Sequence, residues 1–377
     1  MTFVHGDDNL ADHVIAATAP CAYEGLLSRR AVADICHSKV GSLPAGMTSL
    51  FGFECQLGQE EPSADFLVRI GAEPGEWPVL AYHAAGQDGE TWRRIAALLT
   101  ERAELHSPLA AMLKNLWLEY DVIRPADTAL DPSVFFGTEQ LTRNAETGWA
   151  TDLVATLRGE RLSVASRQKA NELVAALPES AKLFQVGIMC SRLRAPLRVC
   201  AIALDPDEIS TFLSAVRWPG AMPRVVETLN RFASVIDNVA LDLDILDDGE
   251  LLPKLGIEFY QNPNADLSSR MVELIGRLRD GDLCVPEKAM GLLAWGGITH
   301  ERRHRDLWPA ALIVRRTLRG DSESSTFCRW LHHVKIVLEP GAPPIAKAYL
   351  AVSHAFLPDS AIREALQRAM PVGEKHG

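Results

Sequence analysis

Asn115-Leu116-Trp117-Leu118-Glu119-Tyr120-Asp121-Val122 is echoed by Asn238-Val239-Ala240-Leu241-Asp242-Leu243-Asp244-Ile245, and this shared Asn-x-x-Leu-acid-x-Asp pattern decides how the chain is read. The two segments lie 123 residues apart (238 − 115). The same shift brings a hairpin-like stretch around Asp65 to His83 close to another around Phe184 to Leu204, so the duplication covers roughly residues 60–180 and 183–300. Each echo alternates apolar and acidic residues with the period of a strand. The spacing puts Glu119 and Asp121 on one face, and Asp242 and Asp244 on one face of their own strand.

Working outward, residues 7–37 carry apolar positions at helical spacing and predict a helical lead-in. Short runs bounded by Gly and Pro predict antiparallel strands at Leu50 to Gly58, Asp65 to Gly71 and Trp77 to His83. Thr91 to Asn115 and Asp152 to Leu177 read as helix, and Leu116 to Val122 and Pro132 to Gly137 as strands. Phe184 to Met189, Leu197 to Leu204, Asn238 to Leu246 and Leu255 to Tyr260 are further strands, with helix over Asp207 to Ile236. A last hairpin is expected at Leu331 to Leu338 and Ile345 to Val352, followed by helix from Ala355 to Met370. The fold class is therefore α+β: an internally duplicated, mostly antiparallel sheet of about five β-hairpins alternating with helices, open or barrel-like. The expected divisions are a lead-in over 1–45, repeats over 46–180 and 181–300, and a closing hairpin and C-terminal helix over 301–377.

Composition bounds the function. The 377 residues are 47% hydrophobic, enough for a large core, and no apolar run approaches the roughly 18 to 20 residues of a membrane span. The N-terminus begins acidic rather than basic, so a soluble, cytoplasmic protein without a membrane partner is expected. Seven cysteines without a C-x-x-C pair suggest reduced, buried thiols. A net charge of −11 argues against nucleic acid as a partner. The sequence indicates no cofactor. The phosphate-loop, dinucleotide-loop and nucleophile-elbow signatures are missing, which leans away from an enzyme.

Two metal motifs can be spelled. His300-Glu301-Arg302-Arg303-His304 fits H-E-x-x-H, which on a helix would set His300 and His304 on zinc with Glu301 as base and Glu323 as a poorly placed third ligand. It resembles the zincin metalloprotease motif, but four charged residues crowd it, so an exposed, charge-rich turn is the plainer reading. His304-x-Asp306 with His354 and then Arg363 has the order of a non-haem iron facial triad. The duplicated carboxylates also carry two readings. Glu119 and Asp121 belong to a solvated face with Leu118, Tyr120 and Val122 inside, or the acids form a surface that binds a cation, an amine or a basic peptide. The same choice applies to His333 and Lys335.

Helix and hairpin alternating five times resembles the ABBA barrel of aromatic and peptide prenyltransferases. That resemblance implies a lumen lined by Lys and Arg for a diphosphate and by Tyr around an allyl cation. Arg69, Arg198, Lys335 and Lys347-Ala348-Tyr349 are the residues that would line it. Leu116 to Asp121 with Pro132-Ser133-Val134-Phe135-Phe136, and Leu255-Gly256-Ile257-Glu258-Phe259-Tyr260, resemble accessory proteins of crocagin-type clusters for ribosomally made, modified peptides. This second resemblance implies a protein that holds a precursor or leader peptide, for which a sheet edge offers backbone pairing, and presents it to a partner biosynthetic enzyme. Trp117, Phe135, Phe136, Phe259 and Tyr260 would be anchors, and Glu119, Asp121, Asp242 and Asp244 would set charge preference.

Overall fold

Strand pairing dominates the chain. Its computed structural model describes residues 8–21, 25–38, 40–61, 63–104, 106–122, 131–143, 145–190, 195–262, 267–319 and 322–369. The acidic N-terminal residues 1–7 and most of the Pro- and Asp-rich loop after Val122 lie outside them. The strands are β1 (Leu50–Gln56), β2 (Ala64–Ile70), β3 (Asn115–Tyr120), β4 (Ser133–Leu141), β5 (Lys182–Met189) and β6 (Leu197–Leu204). They continue with β7 (Asn238–Ile245), β8 (Leu255–Tyr260), β9 (Gly297–His300), β10 (Glu323–Leu338) and β11 (Ile345–Pro358). Their order is β11-β1-β2-β3-β4-β5-β6-β7-β8-β10-β9, and β10 also pairs with β11. That extra pairing closes ten antiparallel strands into a barrel, with β9 attached outside the ring.

Five hairpins supply the barrel: β1–β2, β3–β4, β5–β6, β7–β8 and β10–β11. Asn115 and Asn238 each open a hairpin, the second and the fourth, so the sequence echo marks matching places two hairpins apart.

Helices fill the intervals: α1 (Leu10–Thr18), α2 (Arg29–His37), α3 (Glu76–Ala85), α4 (Glu90–Ala103), α5 (Pro108–Met112), α6 (Gly148–Arg158) and α7 (Val164–Ala176). The rest are α8 (Pro206–Ala215), α9 (Met222–Phe232), α10 (Leu267–Asp280), α11 (Pro286–Trp295), α12 (Ala310–Arg319) and α13 (Asp359–Ala369). Side-chain caps start several of them, since an Asn, Ser or Asp oxygen accepts an otherwise unpaired first-turn N–H. Asn9, Ser28, Ser163 and Asp205 do this for α1, α2, α7 and α8. No helix among the described residues is long and apolar enough to cross a membrane. Cys36, Cys55, Cys190, Cys200, Cys284 and Cys328 are free thiols.

Three expectations are corrected. Trp77 to His83 is the body of α3, not a strand: Trp77, Leu80 and Ala84 are buried at helical spacing, and Pro78 sits in the first turn, where its missing N–H costs nothing. Glu76 anchors the start of that helix, its carboxylate accepting from Gly71 N (2.7 Å), Ala72 N (2.9 Å) and Ser49 N (2.6 Å). At the far end, β11 continues to Pro358, so α13 begins at Asp359 rather than near Ala355.

The third correction concerns sides. Leu118, Tyr120 and Val134 face outward and are buried beneath helices, while Glu119 points into the lumen. Alternation of acid and apolar residue reports which residues share a face, and here the polar face is the inside of a barrel rather than a surface in water. Closure also removes most of the open edge on which a peptide could add as a strand.

Phe136 and Phe259, expected as peptide anchors, are outward-facing and fully enclosed; Phe259 packs on Phe232 of α9 at 4.9 Å between ring centroids. Replacing Phe136 with Ala is expected to cost about 3–5 kcal/mol of unfolding free energy, measured by chemical denaturation. A loss below about 1 kcal/mol would mark it as an available anchor instead.

Candidate functional site in the barrel lumen

Inward positions follow from the register. Gly52 and Glu54 of β1 face Leu67 and Asp65, Arg69 neighbours Trp117, Trp117 neighbours Phe135, Arg198 neighbours Asp244, and Glu258 neighbours Lys335. A β-bulge at Leu331/His333 inserts one residue into β10 and re-aims the strand, so that both His332 and His333 line the cavity. The cavity has a volume of about 460 Å³, within the roughly 300–1,000 Å³ of small-molecule sites.

One wall is aromatic. His333 stacks on Tyr349 (centroids 4.1 Å, planes 16° apart) and lies against Tyr260 (4.8 Å), and Lys335 Nζ is 5.8 Å from the Tyr349 ring centroid. Trp117 and Phe135 line the same space. Gly187, beside Phe135, has no side chain to oppose that ring; a Cβ there would stand 2.4 Å from Phe135 Cδ1.

Charge is packed into the lumen in pairs. Arg198 makes a bidentate bridge to Asp244, with both contacts at 2.8 Å. Lys335 bonds to Asp242 and lies 3.5 Å from Glu258, whose other oxygen accepts from Tyr260 Oη at 2.6 Å. Lys347 and Tyr349 both donate to Glu54. Burial alone would neutralise these groups, yet the charge of Asp242 and Glu258 overrides it and raises Lys335. Lys347 overrides burial at Glu54 and holds it down at about 2.

The duplicated acids are treated differently in the two copies. Asp242 and Asp244 are answered by Lys335 and Arg198, whereas Glu119 forms no hydrogen bond or ion pair among the described residues. Burial, and then the charge of Glu54, pushes Glu119 up to about 8. Asp65 is pushed up to about 7 by burial and by the charges of Glu54 and Asp121. Arg69 is the matching exception among the cations, with no carboxylate partner among the described residues. Asp242 Oδ1 is buried without a hydrogen bond.

Of the residues expected to bind a peptide, Trp117, Glu119, Phe135, Asp242 and Tyr260 line the cavity. Asp244 faces inward but is spent on Arg198, and Asp121 follows β3 near Asp65. Sequence reasoning passed over Glu54, Asp65 and Glu258 as site residues. Their signal was a lone acid inside an apolar strand, as in Phe53-Glu54-Cys55 and Ile257-Glu258-Phe259.

Neither metal motif forms a site. His300 ends β9, residues 301–304 form a turn, and a short 3₁₀ helix, Arg305–Leu307, follows, so His300 and His304 do not share a helix face. Glu301 is buried in an ion pair with Arg316 (2.6 Å) rather than poised as a base, which removes the zinc protease reading. His354, the third member of the iron motif, contacts Ser325 Oγ through Nε2 (2.8 Å) among Phe327 and Phe356, and burial lowers it to about 4. Arg363 lies on α13, and no cluster of three metal-ligating side chains occurs among the described residues.

The sequence matches no protein-family model and no curated protein. Among solved structures, the chain is similar to 5-dimethylallyltryptophan synthase from Streptomyces coelicolor, at 13% identity and a TM-score of 0.48 over 92% of this chain and 98% of that one. It is also similar to the prenyltransferase PriB in its apo form (11% identity, TM-score 0.46, 90% of this chain and 94% of that one). A third is AnaPT from Neosartorya fischeri (10%, 0.45, 93% of each chain). At these values the likeness adds nothing to what the strand order already establishes.

The pairing predicts two outcomes. Replacing Lys335 with Met leaves Asp242 and Glu258 buried without their cation and is expected to cost about 3–5 kcal/mol in chemical denaturation. For Glu119, the folded state holds the proton up to about 8 and the unfolded chain releases it near the ordinary 4.5. Between those values the folded state binds more protons, so stability falls as pH rises. Wild-type stability measured against Glu119→Gln should therefore decline from pH 4.5 to about 8 and then level off. A flat difference would show that Glu119 titrates normally.

Proposed function

We propose that the chain is an aromatic prenyltransferase: an enzyme that joins an allylic group to an aromatic acceptor inside the barrel. The observation that carries this reading is the meeting, in one cavity, of an aromatic wall, buried cations and the carboxyl of Glu119, unpartnered among the described residues. Each part answers one demand of the chemistry. The allylic C–O bond breaks with its electron pair leaving on the diphosphate; Arg69, free of a carboxylate among the described residues, offers a guanidinium fork to that group. Lys335 and Lys347 add positive charge from positions fixed by their ion pairs. The π faces of Tyr260, His333 and Tyr349 stabilise the allylic cation and keep water away from it, at about 0.5–2 kcal/mol per contact. The acceptor ring forms the new C–C bond, and its displaced proton passes to Glu119, whose value near 8 suits a base working near neutral pH.

The wealth of carboxylates sets a condition on the donor. Protonation of Asp65 through about 7 and Glu119 through about 8 lowers the negative charge of the lumen. A prenyl diphosphate should accordingly bind more tightly as pH is lowered from 8.5 to 6.5, read by calorimetric titration with dimethylallyl diphosphate. Incubation with this donor and indole derivatives, followed by mass spectrometry, should show gain of one prenyl unit. Glu119→Gln should reduce transfer by about 10²–10⁴-fold while donor binding persists. Absence of donor binding at millimolar concentration together with absence of transfer would overturn the reading.

A second reading, a barrel that holds a precursor peptide, is supported by the cavity position of Trp117, Phe135 and Tyr260, which would clasp one aromatic side chain of the peptide. Tight binding of a precursor peptide in a protein that ignores the diphosphate would favour it.

A further inference from the structure

Hydrogen-bonding capacity in the lumen is unevenly spent. The cations Arg198, Lys335 and Lys347 are each held by a carboxylate, Asp244, Asp242 and Glu54. Two of the carboxylates keep oxygens without a donor. Asp242 is 4% exposed, and its Oδ1 has no partner; its cross-strand neighbour, Gly256, has no side chain to cover or satisfy it. Glu119 has neither hydrogen bond nor ion pair among the described residues. A buried carboxylate oxygen without a donor forfeits about 1–3 kcal/mol or more, which a guest supplying that donor regains. Among the described residues, six acids, Glu54, Asp65, Glu119, Asp242, Asp244 and Glu258, face inward against four strand cations, Arg69, Arg198, Lys335 and Lys347. The π faces of Tyr260, His333 and Tyr349 beside them also attract positive charge.

We infer that the aromatic molecule taken into the lumen carries a cationic amine, its ammonium group donating to Asp242 and Glu119 while its ring lies against the Tyr260–His333–Tyr349 wall. This rests on the reading of the lumen as an aromatic-acceptor site and adds the charge of the acceptor to it. An ammonium brings three donors and no acceptor, the complement of what the wall leaves open. A guest carboxylate would find Arg69 as a lining cation without a carboxylate among the described residues, and the inward acids against it. The amine also supplies a counter-ion to Glu119, so binding draws that carboxyl toward its charged form.

Three ligands with one ring system separate the possibilities: tryptamine, indole and indole-3-acetate, titrated calorimetrically into the full chain above the Glu119 value of about 8. Tryptamine should bind at least about tenfold more tightly than indole, and indole-3-acetate more weakly than either. Glu119→Gln should shrink the tryptamine advantage over indole, both measured in that variant, to less than about threefold. Asp242→Asn, checked for folding by circular dichroism, should act in the same direction. Equal binding of indole and tryptamine, tighter binding of indole-3-acetate, or an undiminished advantage in Glu119→Gln would overturn the amine while the aromatic site stands. Failure of all three ligands to bind would overturn the aromatic site itself, and the amine with it.

Discussion

Closure of the sheet along β10 and β11 is the constraint from which the rest follows. Their register runs from Glu323 opposite Pro358 to Val337 opposite Ile345, and β11 passes the join on to β1 from Leu50 to Gln56. Once closed, the sheet has an inside that helices cannot reach and an outside that water cannot reach. Apolar residues of every strand then bury against the helices, and polar residues are left to satisfy one another across the lumen. An open sheet with the same residues would have a wet face, and its carboxylates would need no lysines.

The internal charges obey that confinement. A buried carboxylate or ammonium is tolerable only when paired and hydrogen-bonded, and Lys335 with Asp242 and Glu258, Arg198 with Asp244, and Lys347 with Glu54 and Tyr349 meet the condition. Glu119 and Arg69 stand out because they do not. A fold that neutralises most of its interior charge and, among the described residues, leaves Glu119 and Arg69 without an ion pair concentrates unspent interaction energy at those two places.

The five hairpins, the helices between them and the repeat at Asn115 and Asn238 were legible in the sequence because strand and helix periods are local properties. The side on which Glu119 lies was not. Period two sorts residues into two faces but carries no label for inside, and both faces of this sheet are covered. Trp77 to His83 failed for a related reason: seven residues of mixed apolar character fit both periods, and the Glu76 carboxylate, tied to backbone amides of two preceding loops, settles the choice only in three dimensions. H-E-x-x-H at 300–304 shows the converse, since its letters specify a zinc site only on a helix, and the chain turns there instead. The inward-facing acids Glu54 and Glu258 left a fainter mark, a single charge among buried apolar neighbours, that becomes readable once the barrel is closed.

The bulge in β10 divides that strand into two lengths with opposite parity. Before it, Cys328 and Trp330 share a face with Ser353 and Ala351 of β11; after it, His333 and Lys335 share that same face with Tyr349 and Lys347. Excision of the single residue His332 would remove the bulge and take that ring from the cavity wall, yet leave His333 and Lys335 opposite Tyr349 and Lys347 on the lumen face. Loss of Val334 instead would bring Lys335 opposite Ala348, on the face beneath the helices, so beyond the bulge the strand tolerates substitution far better than a change of length.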